Sequence, residues 1–261
     1  IGGFRNGPRC GILNRRPTPT AAPRMVSLLV YTPPPSECSY LPHERSQITY
    51  EFVAELSPAE YLDRLNQGWR RFGHSLFRPA CETCSECKSV RVPVGTFRPD
   101  RSQRRALAAN DGAVELVIRT PSVSREKLDL YDKFHRFQHA DKGWPSHAPE
   151  TAEAYRESFV ANPIPTEEWC YTLEGRLVGV GYVDAVPDGL SAIYFFHDPD
   201  QRDRSLGTFN VLSVIREAER RGLPHVYLGY YVAGCRSLEY KGRFRPSEVL
   251  GGDGRWRPFA K

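Results

Sequence analysis

The chain has 261 residues, of which 40% are hydrophobic, so it can bury a core as one large domain or two modest ones. Its 36 Lys and Arg residues against 31 Asp and Glu give a formal net charge of +5. That mild excess permits contact with RNA or another polyanion without requiring it. No apolar run approaches the roughly 20 residues that a bilayer-spanning helix needs, so we expect no membrane partner and a cytoplasmic location.

The first residues carry no pattern of a folded element. Residues 1–24 are rich in Gly, Pro and Arg and lack periodicity, and Met25 is the only methionine. We therefore expect translation to begin at Met25 and residues 1–30 to form a disordered extension, in which Cys10 has no role in the fold. A transit peptide is the alternative, because the stretch contains arginine and no acidic residue.

The next segments predict a strand, a helix, a second strand and a second helix. Residues 47–56 alternate as a strand does, with β-favouring bulk. Ser57 as N-cap, Pro58 at the first helical position and Glu60 three residues after the cap predict a helix start. A strand is expected over 90–94 and a short basic helix over 102–110.

The second half predicts helices, an antiparallel meander, a helix and a final strand. The expected elements are a strand within 112–124, helices over 125–143 and 151–162, strands from Trp169 with turns at 174–175 and 187–189, a helix over 206–222 and a strand over 225–232. This order resembles the core of GNAT acyltransferases. We therefore predict an α+β fold with an N-terminal domain over 31–110, a GNAT-like domain over 111–250 and a loop-like tail over 251–261.

Four cysteines form the most distinctive local pattern in the sequence. Cys81, Cys84 and Cys87 lie at strict three-residue spacing, and Cys38 precedes them in CSYLP. Four thiols from two segments can converge on one metal, which predicts a structural zinc ion or an iron–sulfur cluster in the N-terminal domain. The alternative is a set of thiols without a ligand.

The segment before the helix at 206–222 bears on the acyl donor. GNAT enzymes cradle the pyrophosphate of coenzyme A in a glycine-rich turn at a helix N-terminus. Here QRDRSLGTFNVL has one glycine, Gly207, and makes a poor cradle. Coenzyme A is therefore not the expected donor, although Arg202 and the N–H groups near Ser205 could meet a phosphate of another kind.

Seven sequence blocks carry a family resemblance. They are CSYLP, WRRFG, RPACETCSECKSVRVPV, SQRR, SAIYFFHDPD, SLGT and LGYYVAGCRSLEYKGRFRP. In this order and spacing they resemble the aminoacyl-tRNA–protein transferases, and the bacterial leucyltransferase branch in particular, from about Cys38 to Pro246. The resemblance implies transfer of leucine from Leu-tRNA to the α-amine of proteins that begin with Asp or Glu, which marks them for degradation, with no cofactor in the chemistry.

Three alternatives to leucyl transfer stay open at this point. The same-class alternative is arginyl transfer, because donor choice depends on the shape of a pocket. The alternative of another class is a metal-dependent module that binds RNA or degrons without transfer. A coenzyme A-dependent acetyltransferase is disfavoured by the poor phosphate turn.

The implied reaction needs cations for the acceptor carboxylate. The donor is an activated ester, so the enzyme mainly positions an amine and stabilises an oxyanion. Arg71, Arg91 and Lys241 are our leading candidates for the carboxylate, because each falls in a family block and Arg or Lys suits that role. The further substrate-binding candidates are Arg70, His139, Arg202, Ser205, Gly207 and Tyr240.

The catalytic candidates are two tyrosines, an aspartate and the lysine. Tyr194 and Tyr230 could orient the amine or donate to the oxyanion, or be ordinary core tyrosines. Asp198 could hold the α-ammonium or relay its proton, or be a turn residue. Lys241 completes the set. His139 could serve as a base, although a histidine at a helix end is often structural.

Overall fold

A computed structural model describes residues 25–259 as a mixed α+β fold. The strands are β1 (Val26–Tyr31), β2 (Ile48–Glu55), β3 (Arg70–Phe72), β4 (Ser75–Pro79), β5 (Lys88–Pro93), β6 (Val114–Arg119), β7 (Thr166–Leu173), β8 (Arg176–Val186), β9 (Gly189–His197), β10 (His225–Tyr231), β11 (Glu248–Leu250) and β12 (Trp256–Pro258). The helices are α1 (Pro58–Asn66), α2 (Arg101–Asn110), α3 (Arg125–Lys142), α4 (Ala152–Tyr155) and α5 (Leu206–Arg220). Shorter helical turns cover Val94–Thr96, Arg156–Val160, Pro199–Arg204 and Glu239–Arg243, and a two-residue ladder joins Ser36–Glu37 to Arg45–Ser46. None of the helices in this part of the chain is long and apolar enough to cross a membrane.

The smaller sheet has the antiparallel order β1–β2–β4–β3. Helix α1 follows β2, and its predicted start is confirmed: the Ser57 side chain and Glu60 form a reciprocal capping box, with Pro58 at the first position. Strand β1 begins at Val26, inside the stretch that the sequence predicts as an extension, because its apolar run pairs with β2. The rest of that prediction, residues 1–24 with Cys10, lies outside the described residues.

The larger sheet has the order β12–β11–β5–β10–β9–β8–β7–β6. Strand β5 precedes residue 110 and pairs with β10 and β11, so this sheet takes strands from both sides of the predicted domain boundary. The division into 31–110 and 111–250 stays a prediction. Strand β12 lies in the tail predicted to be loop-like, because antiparallel pairing with β11 extends the sheet there.

Helices cover both faces of the larger sheet. Phe195 packs with the cluster under α5, whereas its neighbour Phe196 packs with the cluster under α3. Successive strand residues point to opposite faces, so α5 and α3 lie on opposite sides. Helix α3 starts after Ser124 as predicted. The helix predicted over 151–162 instead divides into α4 and a π turn over 156–160.

Candidate active site

The larger sheet opens between its two parallel strands. Strands β9 and β10 pair only over three residues each, from Gly189 and His225 onward, while β9 runs on to His197 and β10 to Tyr231. Strand β3 of the smaller sheet lies across this opening. Its Arg70 reaches β10, and its Phe72 packs edge-on against Tyr194 of β9, with ring centroids 5.9 Å apart. The place where β3 crosses β9 and β10 is therefore the candidate reaction groove.

Arg70 is a buried cation whose contacts are two backbone carbonyls and an aromatic ring, with no carboxylate among them. Its side chain donates from Nη1 to the carbonyl of Trp69 at 2.7 Å and from Nη2 to that of Gly229 at 3.5 Å. The guanidinium lies 5.3 Å from the centroid of the Tyr230 ring. Its Nε is buried without a hydrogen-bond partner, and the residue is only 5% exposed. Burial lowers the pKa of Arg70 below its ordinary value.

A second cation, Lys241, lies beside Arg70. Its Nζ donates to the carbonyl of Tyr230 at 3.0 Å. Burial and then the charge of Arg70 lower the pKa of Lys241 to about 7. Among residues 25–259 neither cation forms an ion pair with a carboxylate. Two neighbouring cations without a counter-charge form a site in which an anion would be stabilised.

Gly229 makes room for this pair. It has a φ of +82° at an irregularity in the pairing of β10 with β5. A Cβ atom there would lie 3.3 Å from Nζ of Lys241 and 3.9 Å from Nε of Arg70. A side chain would therefore crowd the amine as well as strain the backbone. Gly229 and Lys241 are both partly exposed, so a ligand can approach from their side.

Arg71, the neighbour of Arg70, is fully engaged by the protein. It pairs bidentately with Asp184, at 2.8 Å for each bond, and both side chains are buried. Its remaining N–H groups donate to Gly73, Asn162 and Thr166. A guanidinium has five N–H donors, and each of them is used here. The geometry therefore gives Arg71 a structural role and leaves it no donor for the acceptor carboxylate that the sequence assigned to it.

Arg91 is also paired. Its Nε donates to Glu248 at 2.7 Å, and its guanidinium stacks 4.5 Å from the centroid of the Trp256 ring. It joins strands β5 and β11 at the far side of β10. The contacts thus connect Arg91 to the sheet, whereas Arg70 and Lys241 lie together at the opening.

Tyr230 directs its hydroxyl away from the opening. The hydroxyl donates to the carbonyl of Gly68 at 2.7 Å, with the carbonyl of Phe77 at 3.3 Å. Burial raises the pKa of Tyr230 above its ordinary value. Arg70 and Lys241 together form the cation pair of the site. Tyr230 contacts both of them, Arg70 through its ring and Lys241 through its backbone carbonyl.

Tyr194 meets a histidine that the sequence reasoning missed. The Tyr194 hydroxyl lies 2.9 Å from Nε2 of His135 on α3. Burial, and then the neighbouring His147, lower the pKa of His135 to about 4, so the ring is neutral at pH 7 and its Nε2 can accept a hydrogen bond from the Tyr194 hydroxyl. His147 is in turn 2.7 Å from Asp132. The signal was helical spacing: His135 follows Tyr131 by four residues on the buried face of α3.

The other predicted residues lie outside the opening. Asp198 forms an ion pair with Lys133 at 2.6 Å and caps the turn at Pro199–Arg204. The guanidinium of Arg202 lies 5.6 Å from the centroid of the Phe137 ring, and Nδ1 of His139 lies 2.6 Å from the carbonyl oxygen of Trp144. Ser205 has a left-handed backbone conformation just before α5, and a Cβ atom at Gly207 would meet open space. Tyr240 is 38% exposed. Tyr240 is the sequence neighbour of Lys241 in the turn Glu239–Arg243, whereas none of the contacts described for the other five residues reaches Arg70 or Lys241.

The four cysteines share one cavity of about 400 Å³, which they line together with Tyr230: Cys38, Cys81, Cys84 and Cys87. Backbone N–H groups of Leu41 and Gln47 point at the sulfurs of Cys38 and Cys81, each at 3.4 Å. Burial and then the nearby thiols raise the pKa of Cys87 to about 12. Even so, within residues 25–259 no group of three or more His, Cys, Asp or Glu is arranged to hold a metal ion.

Comparison with known proteins defines the class. One family model, arginine-tRNA-protein transferase, N terminus, matches residues 36–105, and its counterpart, arginine-tRNA-protein transferase, C terminus, matches residues 126–251. The two models follow each other in the expected order and cover most strands of both sheets, so the chain has the organisation of a tRNA-dependent transferase. It belongs to the arginine-tRNA-protein transferase family, and the resemblance inferred from the sequence is confirmed.

Curated relatives align with most of the chain. An aspartate/glutamate leucyltransferase of Campylobacter jejuni is 38% identical over 216 residues, which cover 83% of this chain and 90% of the relative. One of Pseudomonas aeruginosa is 37% identical over 233 residues, covering 87% of this chain and 95% of the relative. Among solved structures, L-PGS from Bacillus licheniformis aligns with a TM-score of 0.43 and 15% identity, over 75% of this chain and 61% of that one. At that score the likeness supports no conclusion.

Proposed function

We propose that the protein transfers leucine from Leu-tRNA to the α-amine of proteins that begin with Asp or Glu. The names of its relatives, at 37–38% identity over most of both chains, support this reaction. The product would carry a new N-terminal residue that acts as a degradation signal. Because charged tRNA and the protein substrates meet in the cytoplasm, we expect the protein to act there.

One observation carries the proposal: the cation pair of Arg70 and Lys241 has no counter-charge among the described residues. Retaining a charge away from water without a partner costs several kcal/mol, so such a pair suggests a ligand that supplies the opposite charge. The acceptor's side-chain carboxylate is an anion of the right kind. On binding, it would reverse the depression of the pKa of Lys241 and accept a hydrogen bond from Nε of Arg70.

The chemistry is direct aminolysis of an ester. The acceptor nitrogen bonds to the carbonyl carbon, the ester C–O bond breaks, and the ribose oxygen of the tRNA leaves with the electron pair and a proton. The attacking amine must first lose a proton. An α-amine has a pKa of about 8, so it can release this proton to water. We propose Tyr194 as the group that orients this amine, with neutral His135 behind it accepting a hydrogen bond from the Tyr194 hydroxyl. Asp198 and Tyr230 keep supporting roles, holding the turn before α5 and the ring over Arg70.

The arrangement of the two sheets leads to a proposal about the fold class. We propose that the larger sheet is a GNAT-like acyltransferase core, because α5 follows β9 and packs on the sheet next to the opened pair β9 and β10. The smaller sheet with the cysteine cavity would be the second domain, and it contributes Arg70 to the site.

A metal in the cysteine cavity is a separate proposal. The shared cavity and the two N–H groups aimed at sulfur support a structural zinc ion or an iron–sulfur cluster, which would order the chain around β5 and take no part in acyl transfer. Metal analysis of anaerobically purified protein tests it. We expect about one equivalent of metal or cluster in the wild type and a clear loss in Cys84→Ser, and metal-free wild-type protein would refute the proposal.

A transfer assay tests the function. A peptide that begins with Asp is incubated with Leu-tRNA, and the same peptide with Asn in place of Asp serves as the matched control, because it lacks only the charge. We expect leucine on the Asp peptide and little on the Asn peptide. Arg-tRNA is the second donor, because the matched family models are named for arginine. Transfer from Arg-tRNA alone would change the donor, and transfer from neither would refute the enzyme proposal.

A further inference from the structure

Beside the cation pair lies a second cavity, of about 590 Å³, with a basic lining. It is lined by Asp100, Arg236, Glu239, Tyr240, Gly242, Arg243 and Arg245. The three arginines are exposed, and Tyr240 as a residue is 38% exposed. An exposed aromatic ring among guanidinium groups is the combination that single-stranded nucleic acid contacts through stacking and phosphate pairing.

The basic surface continues along α2. Gln103 of α2 donates from Nε2 to the carbonyl of Arg243 at 3.0 Å, which ties the start of this helix to the rim of the cavity. From there Arg101, Arg104 and Arg105 are exposed along α2. A helix of 10 residues is about 15 Å long, so the charged surface spans several nucleotides of a phosphate backbone.

Three exposed arginines elsewhere in the protein provide a comparison. Arg125, Arg216 and Arg220 are also exposed, and each forms an ion pair with a carboxylate of the protein. In the cavity and along α2, Arg104 and Arg245 donate instead to backbone carbonyls, those of Pro99 and Gly242. Asp100 is occupied as the cap of α2, where it accepts from Gln103 and Ser102. Six arginines against two carboxylates leave a strongly positive surface.

The cavity adjoins the proposed reaction groove. Tyr240, which lines the cavity, and Lys241, which lies beside Arg70, are consecutive residues of one short helical turn, Glu239–Arg243. A nucleic acid bound along α2 and over the cavity would therefore end next to Lys241. This is where the proposed chemistry needs the aminoacyl ester.

We propose that the acceptor arm of the donor tRNA binds here, with its backbone along α2, phosphates on Arg236, Arg243 and Arg245, and an unpaired nucleotide at its 3′ end stacked on Tyr240. The proposal rests on the proposed function for the identity of the nucleic acid. It goes beyond that function in assigning the surface that holds the donor.

Binding of deacylated tRNA, followed by fluorescence anisotropy from 50 to 300 mM salt, tests the surface without any transfer. The test variant is Arg236→Gln/Arg243→Gln/Arg245→Gln. The matched control is Arg125→Gln/Arg216→Gln/Arg220→Gln, which removes the same charge from ion-paired positions. We expect about 10-fold or more weaker binding at low salt for the test variant, with the salt slope reduced by about 2 to 3, and little change for the control. Equal weakening of both variants would overturn the proposal.

Two further measurements keep the outcome clear. Arg236→Gln/Arg243→Gln spares Arg245, whose Nε donates to the carbonyl of Gly242, so it tests the surface even if the triple variant does not fold. Tyr240→Leu keeps bulk and removes the stacking surface, with an expected loss of about 5-fold or more in tRNA binding. If wild-type protein binds tRNA through these arginines but transfers nothing, the surface stands and the proposed function fails. If it transfers leucine and the KM for Leu-tRNA is the same in the variants, the surface fails and the function stands.

Discussion

Two adjacent arginines of β3 show how differently one strand can use the same side chain. Arg70 and Arg71 are both buried, at 5% and 3% exposure, and they point to opposite faces of the strand. Arg71 meets Asp184 and has every donor satisfied, whereas Arg70 meets two carbonyls, a ring and a second cation. A buried cation with a complete set of partners holds the fold together, and one without a counter-charge is available to a ligand.

The comparison predicts that stability and activity separate at these two positions. Removing one partner of a buried ion pair leaves a charge that water cannot reach, and that is costly. Removing a buried cation that has no counter-charge relieves the protein of a cost, but it also removes what a bound anion needs. The predictions below test this separation, beginning with the largest expected effect.

The largest effect is expected on the Arg71 face. Asp184→Ala leaves the Arg71 guanidinium buried without its carboxylate, so we expect a loss of about 3–5 kcal/mol in the free energy of unfolding, measured with urea. The control is Asp111→Ala, which breaks the exposed pair with Arg216 and should cost less than about 1 kcal/mol. Similar losses in the two variants would mean that the Arg71 pair does not stabilise the protein as the geometry indicates.

On the Arg70 face we expect the opposite balance. Arg70→Met keeps much of the apolar bulk and removes the charge, so the free energy of unfolding should change by less than about 1 kcal/mol or rise. The kcat/KM for a peptide beginning with Asp should fall about 100-fold or more, because the bound carboxylate loses its buried partner. The peptide beginning with Asn should lose far less. A variant that loses activity equally on both peptides would not support a carboxylate site.

A pH dependence sharpens the assignment of Lys241. Its pKa falls from 10.5 to about 7 in the folded protein, so between these values the unfolded chain binds the extra proton and the free energy of unfolding rises with pH. Lys241→Met should lack this contribution. We expect wild type to gain stability relative to the variant as pH rises from about 7 to 10, measured by urea unfolding. A constant difference over that range would place Lys241 in ordinary solvent.

Acceptor binding gives an independent check on the same lysine. A carboxylate beside Lys241 favours its charged form, so the peptide beginning with Asp should bind with proton uptake near pH 8. Calorimetry in two buffers of different ionisation enthalpy measures that uptake. Lys241→Met should show none, and uptake of equal size in wild type and variant would assign the proton to another group.

The sequence was most informative where the signals are local or where whole blocks match a family. The caps at Ser57 and Ser124 lie within a few residues of the helices they start, and both are confirmed. The family blocks also placed Arg70, Arg71 and Lys241 among the candidates. Each block shows that a residue belongs to the family pattern, but it does not show what the side chain touches.

The partners of these residues could not be predicted, because they come from distant parts of the chain. Asp184 is 113 residues from Arg71, and Gly229 is 159 residues from Arg70. Only the packing of β3 across the opened sheet decides which arginine receives a carboxylate. For the same reason His139 was chosen from its position at a helix end, while His135, 59 residues from Tyr194, was passed over.

The smallest effect is expected at Arg91, and it tests whether a family block alone predicts a binding residue. Arg91 is held by Glu248 and by the ring of Trp256, at the side of β10 away from β9. We therefore expect Arg91→Gln to keep kcat/KM for the Asp peptide within about 2-fold and to cost less than about 1 kcal/mol of stability, as partly exposed ion pairs do. A loss near that of Arg70→Met would return Arg91 to the acceptor site and show that a carboxylate partner within the protein does not exclude a role in binding.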